Sequence, residues 1–484
     1  MAKNRVKQKS KKNNKKIKIN SAHAGLCAIA PVIKDKKVFE IIHQKVEIPQ
    51  KKIDYSPTDK LVFAVLGIMS GCSVVFDINR KFRVDRILQR AFGYQKCADQ
   101  SVIQDTLNAA KEQNVIQLED ALKEMWDEFN LTGSILEKAQ SEGTIETIDM
   151  DLTGMPAGKK AECSTKGYFS GEKNIHGRQL ARIVFPKTQE IVAETLYPGN
   201  MTSCKTFKGM VEKMEHMLRL TDISQRKHIR LRLDAGFGTD ENINYALWRG
   251  YHLLTKMYSG KRARSLAKSV QEWIDISPGT DNKPRQAGWA TQQHRYCKRT
   301  KQLAIRKPGK KGKGYQYSVI VTTDMNADIG DTSSDYDGRS GTPESSFCQD
   351  NQGLGMKKRR KRGFLAQQML MLLTRLAHNL IRWIQNWMTS AVEQTMQEPK
   401  SSIETTDVPS KKTVPAEPVV KTLKEYGMKR FVQQIFCLLG KVKMKEGKVV
   451  EVIINPLHPL VRRIIIAFKA LLKPYGISVS LDEI

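Results

Sequence analysis

The hydrophobic pattern of the chain changes near residue 143, and this change constrains the fold more than any other feature. Residues 57–132 carry apolar positions at helical spacing, whereas 144–153 and two runs within 178–200 have the pattern of strands. From residue 206 to residue 258, a helix, a strand, a helix and a strand follow in turn. Three strands followed by alternating helices and strands predict an α/β fold in which helices cover a mixed sheet.

Shifts in composition predict how the 484 residues divide into domains. Short basic runs after residue 259 indicate a β-rich insertion in the α/β domain, and a Pro, Ser and Thr-rich stretch indicates a linker. The predicted segments are a basic, mostly disordered tail at 1–50, a helical domain at 51–140, an α/β domain at 141–392 with its insertion at about 259–325, a linker at 393–418 and a small C-terminal appendage at 419–484.

Positive charge is concentrated at three places. Residues 1–18, 291–314 and 357–362 supply 24 of the 31 net positive charges. Such clusters predict a polyanionic partner, with nucleic acid favoured over an anionic membrane surface, although the first run also fits a solvated tail. The apolar run at 61–69 is far shorter than the roughly 20 residues of a membrane span. We therefore expect a cytoplasmic protein with no membrane partner.

One helical segment has the features of a DNA reader. The segment at 99–110 opens with Asp99 as a helix cap. Side chains of the types that read base edges fall on one side of it: Gln100, Ser101, Gln104 and Asn108. We interpret residues 51–140 as a helix-turn-helix reader of double-stranded DNA. The alternative is an ordinary helix bundle with a solvated basic face.

Three acids are expected to meet at one edge of the predicted sheet. Asp151 and Asp234 each end a strand, and Glu344 opens a helix after Thr342 and Pro343. Carboxylates arranged in this way can hold two Mg²⁺ or Mn²⁺ ions for phosphoryl transfer, and no small-molecule cofactor is indicated. Asp149 remains an alternative to Asp151, because residues two apart on a strand point to the same face.

The sequence around these acids resembles the DDE transposases of bacterial insertion sequences with a Tyr-Arg-Glu signature. The signature stands here as Tyr336, Arg339 and Glu344, and the Asp-x-Thr of the first acid as residues 151–153. The intervals of 83 and 110 residues between the acids also fit, because these transposases carry a β-rich insertion in the second interval. Four residues instead of three separate Arg339 from Glu344, and the lysine expected seven residues later is Asn351.

The resemblance implies an RNase H-like catalytic core and a magnesium-dependent enzyme that binds terminal inverted repeats, cleaves the element's ends and joins the 3′-hydroxyl to target DNA. It implies a homodimer on DNA, in the bacterial nucleoid. It assigns Tyr336 and Arg339 to the DNA end, and Lys357 or Lys358 to the role of the missing lysine. The remaining predicted DNA contacts are Arg359 and Arg360, with His176 and Gln104 as weaker candidates. A catalytically silent repressor and an RNase H-like nuclease are the alternatives.

Overall fold

A computed structural model describes residues 17–51, 54–169, 172–279, 282–309, 314–341, 343–397, 416–457 and 460–482. Its helices are α1 (Ala24–Asp35), α2 (Glu40–Lys45), α3 (Pro57–Met69), α4 (Asp77–Arg80), α5 (Arg86–Ala91), α6 (Gln100–Asn108), α7 (Glu112–Phe129), α8 (Thr132–Glu142), α9 (Ser203–Leu218), α10 (Ile223–Arg226), α11 (Asp240–Trp248), α12 (Gly260–Ala267), α13 (Ile329–Asp337), α14 (Pro343–Gly353), α15 (Phe364–Gln397), α16 (Ala416–Lys424), α17 (Met428–Phe431) and α18 (Val461–Leu472).

The strands form two sheets. They are β1 (Ile17–Ser21), β2 (Glu146–Pro156), β3 (Thr165–Phe169), β4 (Glu172–Phe185), β5 (Glu190–Pro198), β6 (Ile229–Leu233), β7 (His252–Lys256), β8 (Ile274–Ile276), β9 (Arg285–Trp289), β10 (Lys301–Pro308), β11 (Tyr315–Thr322), β12 (Gly440–Lys445), β13 (Lys448–Ile454) and β14 (Ser478–Leu481).

The larger sheet has the mixed topology that the sequence predicted. β2, β4 and β5 form an antiparallel meander, and β6 and β7 follow parallel to β2. The strands of the insertion, β8 to β11, extend this sheet, because β11 pairs antiparallel with β7. This order confirms the predicted α/β fold and agrees with the RNase H-like core that the resemblance implies.

Helices cover both faces of this sheet. Ile148 and Met150 of β2 pack with Phe207 of α9 and Ile243 of α11 in one apolar cluster. Alternate residues of a strand point to opposite faces, so Asp149 and Asp151 lie on the other face. We call this second face, which α13 and α14 approach, the site face.

The two ends of the chain form one unit, which shows that the prediction of a disordered tail was wrong for residues 17–50. β1 pairs with β12, completing a small sheet of order β1-β12-β13-β14. α1 is almost entirely buried because its sequence is apolar. Gly25 allows close packing, since a Cβ there would lie 1.7 Å from the carbonyl oxygen of Ile435. Residues 1–16 lie outside the described residues.

Helix α15 joins this terminal unit to the rest of the molecule. Its apolar residues share one core with α3, α7 and α18. The helix continues to Gln397, so the linker predicted from residue 393 begins too early, and residues 398–415 lie outside the described part of the chain. In the C-terminal appendage predicted at 419–484, the described helices α16, α17 and α18 pack on α15. Among the described helices, none combines the length and the apolarity needed to cross a bilayer.

Candidate active site

Asp151 and Asp234 lie side by side on neighbouring parallel strands. The pairing of β2 with β6 ends at Met150 and Leu233, and each acid is the next residue of its segment. Neighbouring strands are about 4.7–4.9 Å apart, so the two side chains are close. The structure therefore brings together the first two predicted acids, although β2 continues past Asp151 to Pro156.

These two acids belong to a row of charged residues across the sheet. By strand register, five charged residues stand next to one another across the sheet: Glu194, Arg182, Asp151, Asp234 and Lys256. The positions of Asp234 and Lys256 follow from the pairs one residue earlier, Met150 with Leu233 and Leu233 with Thr255. A cation thus stands on each side of the acid pair. Without such neighbours, two adjacent carboxylates would repel each other strongly.

Asp151 is partly shielded from solvent. Its side chain is 13 % exposed, and its Oδ1 accepts a hydrogen bond of 2.9 Å from the backbone N–H of Leu152. Arg339 places a guanidinium nitrogen 3.8 Å from the same oxygen. The predicted signature residue Arg339 therefore lies at the acid pair.

One carboxylate oxygen of Asp234 gives the strongest indication of a bound cation at this site. Its Oδ1 is buried and has no hydrogen-bond partner among the described residues. The turn that follows is held close to β7 at Gly238, where a Cβ would lie 1.8 Å from the carbonyl oxygen of Lys256. A buried carboxylate oxygen without a partner is costly, and a bound cation would remove that cost.

Glu344 belongs to α14, but its side chain lies outside what the structure describes, as does Thr342. The helix itself is fixed on the site face by Arg182, which is fully buried. One guanidinium nitrogen donates to Ser346 Oγ at 2.7 Å and pairs with Asp350 Oδ2 at 2.8 Å. Arg182 also pairs with Glu194, so this cation joins α14 to the central strands. Glu344 belongs to the first turn of this anchored helix.

Asp149 has a structural partner. Arg232 donates to both of its carboxylate oxygens, at 2.6 and 2.7 Å, and Asp149 is fully buried. Arg232 also bonds the carbonyl oxygen of Asp335 at the end of α13. This geometry favours Asp151 over Asp149 as the reactive acid.

Tyr336 is interior, which differs from the predicted contact with a DNA end. It is 5 % exposed and packs against Leu254, Ile305 and Ile320. Lys256 Nζ lies 4.6 Å from the centre of its ring. Burial raises the pKa of the Tyr336 hydroxyl to about 12, so the phenol stays neutral. The buried Tyr336 thus packs against the side chains of Lys256 and Arg339 from the interior of the protein.

The basic run at 357–362 divides into inner and outer residues. Arg359 is 3 % exposed and donates to the carbonyl oxygen of Cys72 and to Thr374 Oγ1, and burial lowers its pKa to about 10. The prediction that Arg359 contacts DNA is therefore wrong for this structure. The run begins in a 3₁₀ helix, Met356–Lys358, and continues through Arg359 in an extended conformation. The exposed members, which we call the outer basic residues, are Lys358, Arg360 and Arg362.

Lys357 reaches the acid pair from this run. Its Nζ donates to Thr153 Oγ1 at 3.1 Å, two residues beyond Asp151 on the same face of β2. Burial lowers the pKa of Lys357. Of the two lysines predicted to replace the one missing at Asn351, Lys357 is thus the one beside the acids.

The two weaker candidates lie in different places. Gln104 of α6 accepts a hydrogen bond of 3.2 Å from Lys361, so the candidate reading helix contacts the basic run. The capping of α6 by Asp99 is confirmed. His176 lies six residues along β4 from Arg182, about 20 Å at strand spacing, and contacts the carbonyl oxygen of Ser164. His176 therefore stands apart from the acids.

Three site residues were missed from the sequence. Arg182 and Glu194 are single charges within apolar strand sequences, which is a usable signal of a buried ion pair. Asp350 is bound by both Arg182 and His378, whose Nδ1 lies 2.7 Å from Asp350 Oδ1. Burial opposes ionisation of Asp350, but the charges of His378 and Arg182 outweigh it and lower its pKa.

The oxygen donors suit a hard divalent cation. Among side chains that the structure describes, no three His, Cys, Asp or Glu residues cluster in a way that could hold a metal, and Glu344 is outside that set. The buried, unpartnered oxygen of Asp234 beside Asp151 nevertheless fits such an ion.

The fold is thus a mixed α/β sheet covered by helices, with two aspartates on neighbouring parallel strands. The chain belongs to the family described as transposase DDE domain group 1, whose model matches residues 7–402. It is therefore a DNA transposase. A cryo-EM structure of the piggyBac transposase synaptic complex with hairpin DNA is similar at 12 % identity and a TM-score of 0.36, covering 84 % of this chain and 91 % of that one. No curated protein sequence matches the chain.

Proposed function

We propose that this transposase binds the terminal inverted repeats of a bacterial insertion sequence, cleaves the DNA at its ends and joins the freed 3′-hydroxyl to target DNA. Asp151, Asp234 and Glu344 are the catalytic acids. The observation that carries the proposal is the register of β2 and β6, which sets two aspartates side by side with one buried oxygen unpartnered.

The three acids would hold two Mg²⁺ or Mn²⁺ ions. Two ions held in this way activate the attacking oxygen and stabilise the leaving one. Arg182 acts at a distance, because its bonds to Ser346 and Asp350 hold the helix that carries Glu344. Loss of that anchor would displace the third acid without touching the DNA.

Cations around the acids orient the DNA. Arg339 lies beside Asp151 and can exchange that contact for a phosphate, which its planar guanidinium binds in a bidentate manner. Lys357 supplies a second cation on the same strand. The Tyr-Arg-Glu signature consists of Tyr336, Arg339 and Glu344. Within it, the role of Tyr336 is to support the side chain of Arg339.

The outer basic residues continue this cationic surface towards α6. They hold the duplex while α6 reads base edges, and the hydrogen bond between Lys361 and Gln104 ties the two parts together. Because an element has two ends, we propose that two copies of the chain act together on paired ends, in the cytoplasm at the nucleoid.

Cleavage and joining of element ends test the proposal. Purified protein is incubated with Mg²⁺, a duplex carrying the element's own end and a target plasmid, and joined products are counted. We expect joining by the parent, loss of cleavage in Asp234→Ala, and no loss in Asp240→Ala, an acid that instead pairs with Arg262. Hydrolysis without joining would indicate a nuclease, and binding without cleavage a repressor.

A further inference from the structure

Six exposed cations on the insertion form a surface that the proposed function leaves unused. Helix α12 presents three of them at positions i, i+3 and i+7, which lie on one side of a helix: Lys261, Arg264 and Lys268. The loop from residue 291 to residue 300, between β9 and β10, carries the other three: Arg295, Lys298 and Arg299. We call these six residues the insertion cations.

The loop is held against α12. At its start, Thr291 Oγ1 donates to the carbonyl oxygen of Ser269, two residues after α12, at 2.7 Å. Further along, His294 Nε2 lies 3.4 Å from a carboxylate oxygen of Asp240, which Arg262 of α12 also binds. The helix and the loop therefore form one continuous surface.

The insertion cations have no carboxylate partner in the described part of the chain. Residues 259–269 and 291–300 contain no acid. Asp240, which both segments contact, is already bound by Arg262, whose guanidinium nitrogen lies 2.5 and 2.6 Å from its two oxygens. Within the described ranges, none of the six side chains forms a hydrogen bond or an ion pair. Like charges gathered on one surface repel one another, and a bound polyanion removes that repulsion.

This surface begins at the edge of the sheet where the acids lie. The backbone N–H of Tyr258, just before α12, donates to the carbonyl oxygen of Gly238, in the turn after Asp234, at 2.8 Å. The buried side of α12 packs in the same apolar cluster as α9 and α11, so α12 covers the face of the sheet opposite the site face.

The insertion cations and the outer basic residues lie on different sides of the acid pair. The carbonyl oxygen of Arg362 accepts a hydrogen bond of 2.8 Å from Arg178 of β4, whereas α12 packs against β10 and β11. In the order β4-β2-β6-β7-β11-β10, the strands β2 and β6, which position the acids, stand between the two surfaces. Four strand spacings separate β4 from β11, which is about 19 Å. One acid pair is thus flanked by two separate cationic surfaces.

We propose that the insertion cations bind the target DNA, as a second duplex beside the element end that α6 and the outer basic residues hold. Joining brings two polyanions to one acid pair, and each needs cations of its own. Lys and Arg side chains that contact phosphates position a duplex without reading its sequence, so this surface should accept duplexes of any sequence. The inference rests on the proposed function, because only joining requires a second duplex.

Binding of two duplexes to the same protein tests this assignment. A labelled duplex carrying the element end is bound to saturation without divalent cations, and a differently labelled duplex of random sequence is then titrated at a series of salt concentrations. Two triple variants are compared with the parent: Lys261→Gln/Arg264→Gln/Lys268→Gln and Arg295→Gln/Lys298→Gln/Arg299→Gln. Each should reduce the slope of log affinity for the second duplex against log salt by up to about 2.7 and leave the affinity for the element end unchanged. Because all six side chains are exposed, both variants should fold.

A matched control removes the same charge elsewhere. Lys445→Gln/Lys448→Gln/Lys469→Gln neutralises three exposed lysines of the terminal unit and should keep the parent's slope for the second duplex. If both insertion variants also keep that slope, the proposal is overturned. Displacement of the bound element end by the second duplex would likewise contradict it, since one surface would then serve both duplexes. These readouts need no cleavage, so an inactive parent enzyme would contradict the proposed function and leave the second DNA surface standing.

Discussion

Replacement of Arg182 by methionine should separate the anchoring of α14 from the chemistry of the acids. Arg182 is fully buried and holds Glu194, Asp350 and Ser346 at once. Methionine has a comparable length and an apolar end, so the variant removes the charge and the hydrogen bonds while it fills most of the space.

The size of the effect follows from the charges left behind. The side chains of Glu194 and Asp350 are 2 % and 0 % exposed, and breaking a buried ion pair by removing one partner costs about 3–5 kcal/mol. Asp350 keeps His378 as a partner, so Glu194 bears most of the loss. We therefore expect the free energy of unfolding, measured with urea, to fall by about 3 kcal/mol, at the lower end of that range.

A second variant tests the reason for the loss. In Arg182→Met/Glu194→Gln the stranded carboxylate is neutral, so about 1 kcal/mol or more should return. DNA cleavage should fall further than DNA affinity in Arg182→Met, because the helix of Glu344 loses its anchor. If Arg182→Met is within about 1 kcal/mol of the parent, or if neutralising Glu194 recovers nothing, the buried network does not hold α14 as argued.

Two further predictions concern pH and the basic run. Burial lowers the pKa of His23, but hydrogen bonds with Asp85 and Cys437 outweigh this effect and raise the pKa to about 9. The protonated His23 therefore stabilises the fold by an amount on the order of 3 kcal/mol. This contribution is complete below pH 6.5 and is lost as the pH rises through about 9. Urea unfolding of the parent and His23→Gln across that range should show the difference shrinking, and a constant difference would contradict the assignment. Neutralising the three outer basic residues should reduce the slope of log affinity for DNA against log salt by up to about 2.7 and leave the free energy of unfolding unchanged. Arg359→Met should instead mainly lower the free energy of unfolding. If both changes weaken DNA binding equally, the division into inner and outer residues is refuted.

The central sheet could be predicted because the hydrophobic patterns of its strands lie within short stretches of the sequence. Alternation along 144–153 and 178–200, and the strand-helix rhythm after them, fix the meander and the two parallel strands. The aspartates follow, since adjacent parallel strands end at one edge. The register that sets Asp234 beside Lys256 could not be predicted, because it is defined only by the pairing of β6 with β7 in the structure.

The terminal unit could not be predicted in the same way. β1 pairs with β12 across more than four hundred residues, from Ile17 to Met444, and no local pattern carries that pairing. The apolar sequence of α1 follows a run of lysines, and its burial depends on β12, β13 and α18 from the other end of the chain. The burial of Arg359 and Tyr336 likewise depends on partners distant in the chain, Cys72 in one case and β7 to β11 in the other.

Metal-ion rescue tests the central claim most directly. Thiolate ligands accept Mn²⁺ more readily than Mg²⁺, so cleavage of the element end is measured for Asp234→Cys with each ion, and Asp240→Cys is the control. We predict that Asp234→Cys is inactive with Mg²⁺ and regains cleavage with Mn²⁺, while the control cleaves with both. Cleavage by Asp234→Cys at the parent's rate in Mg²⁺ would contradict the assignment of this aspartate to the metal centre.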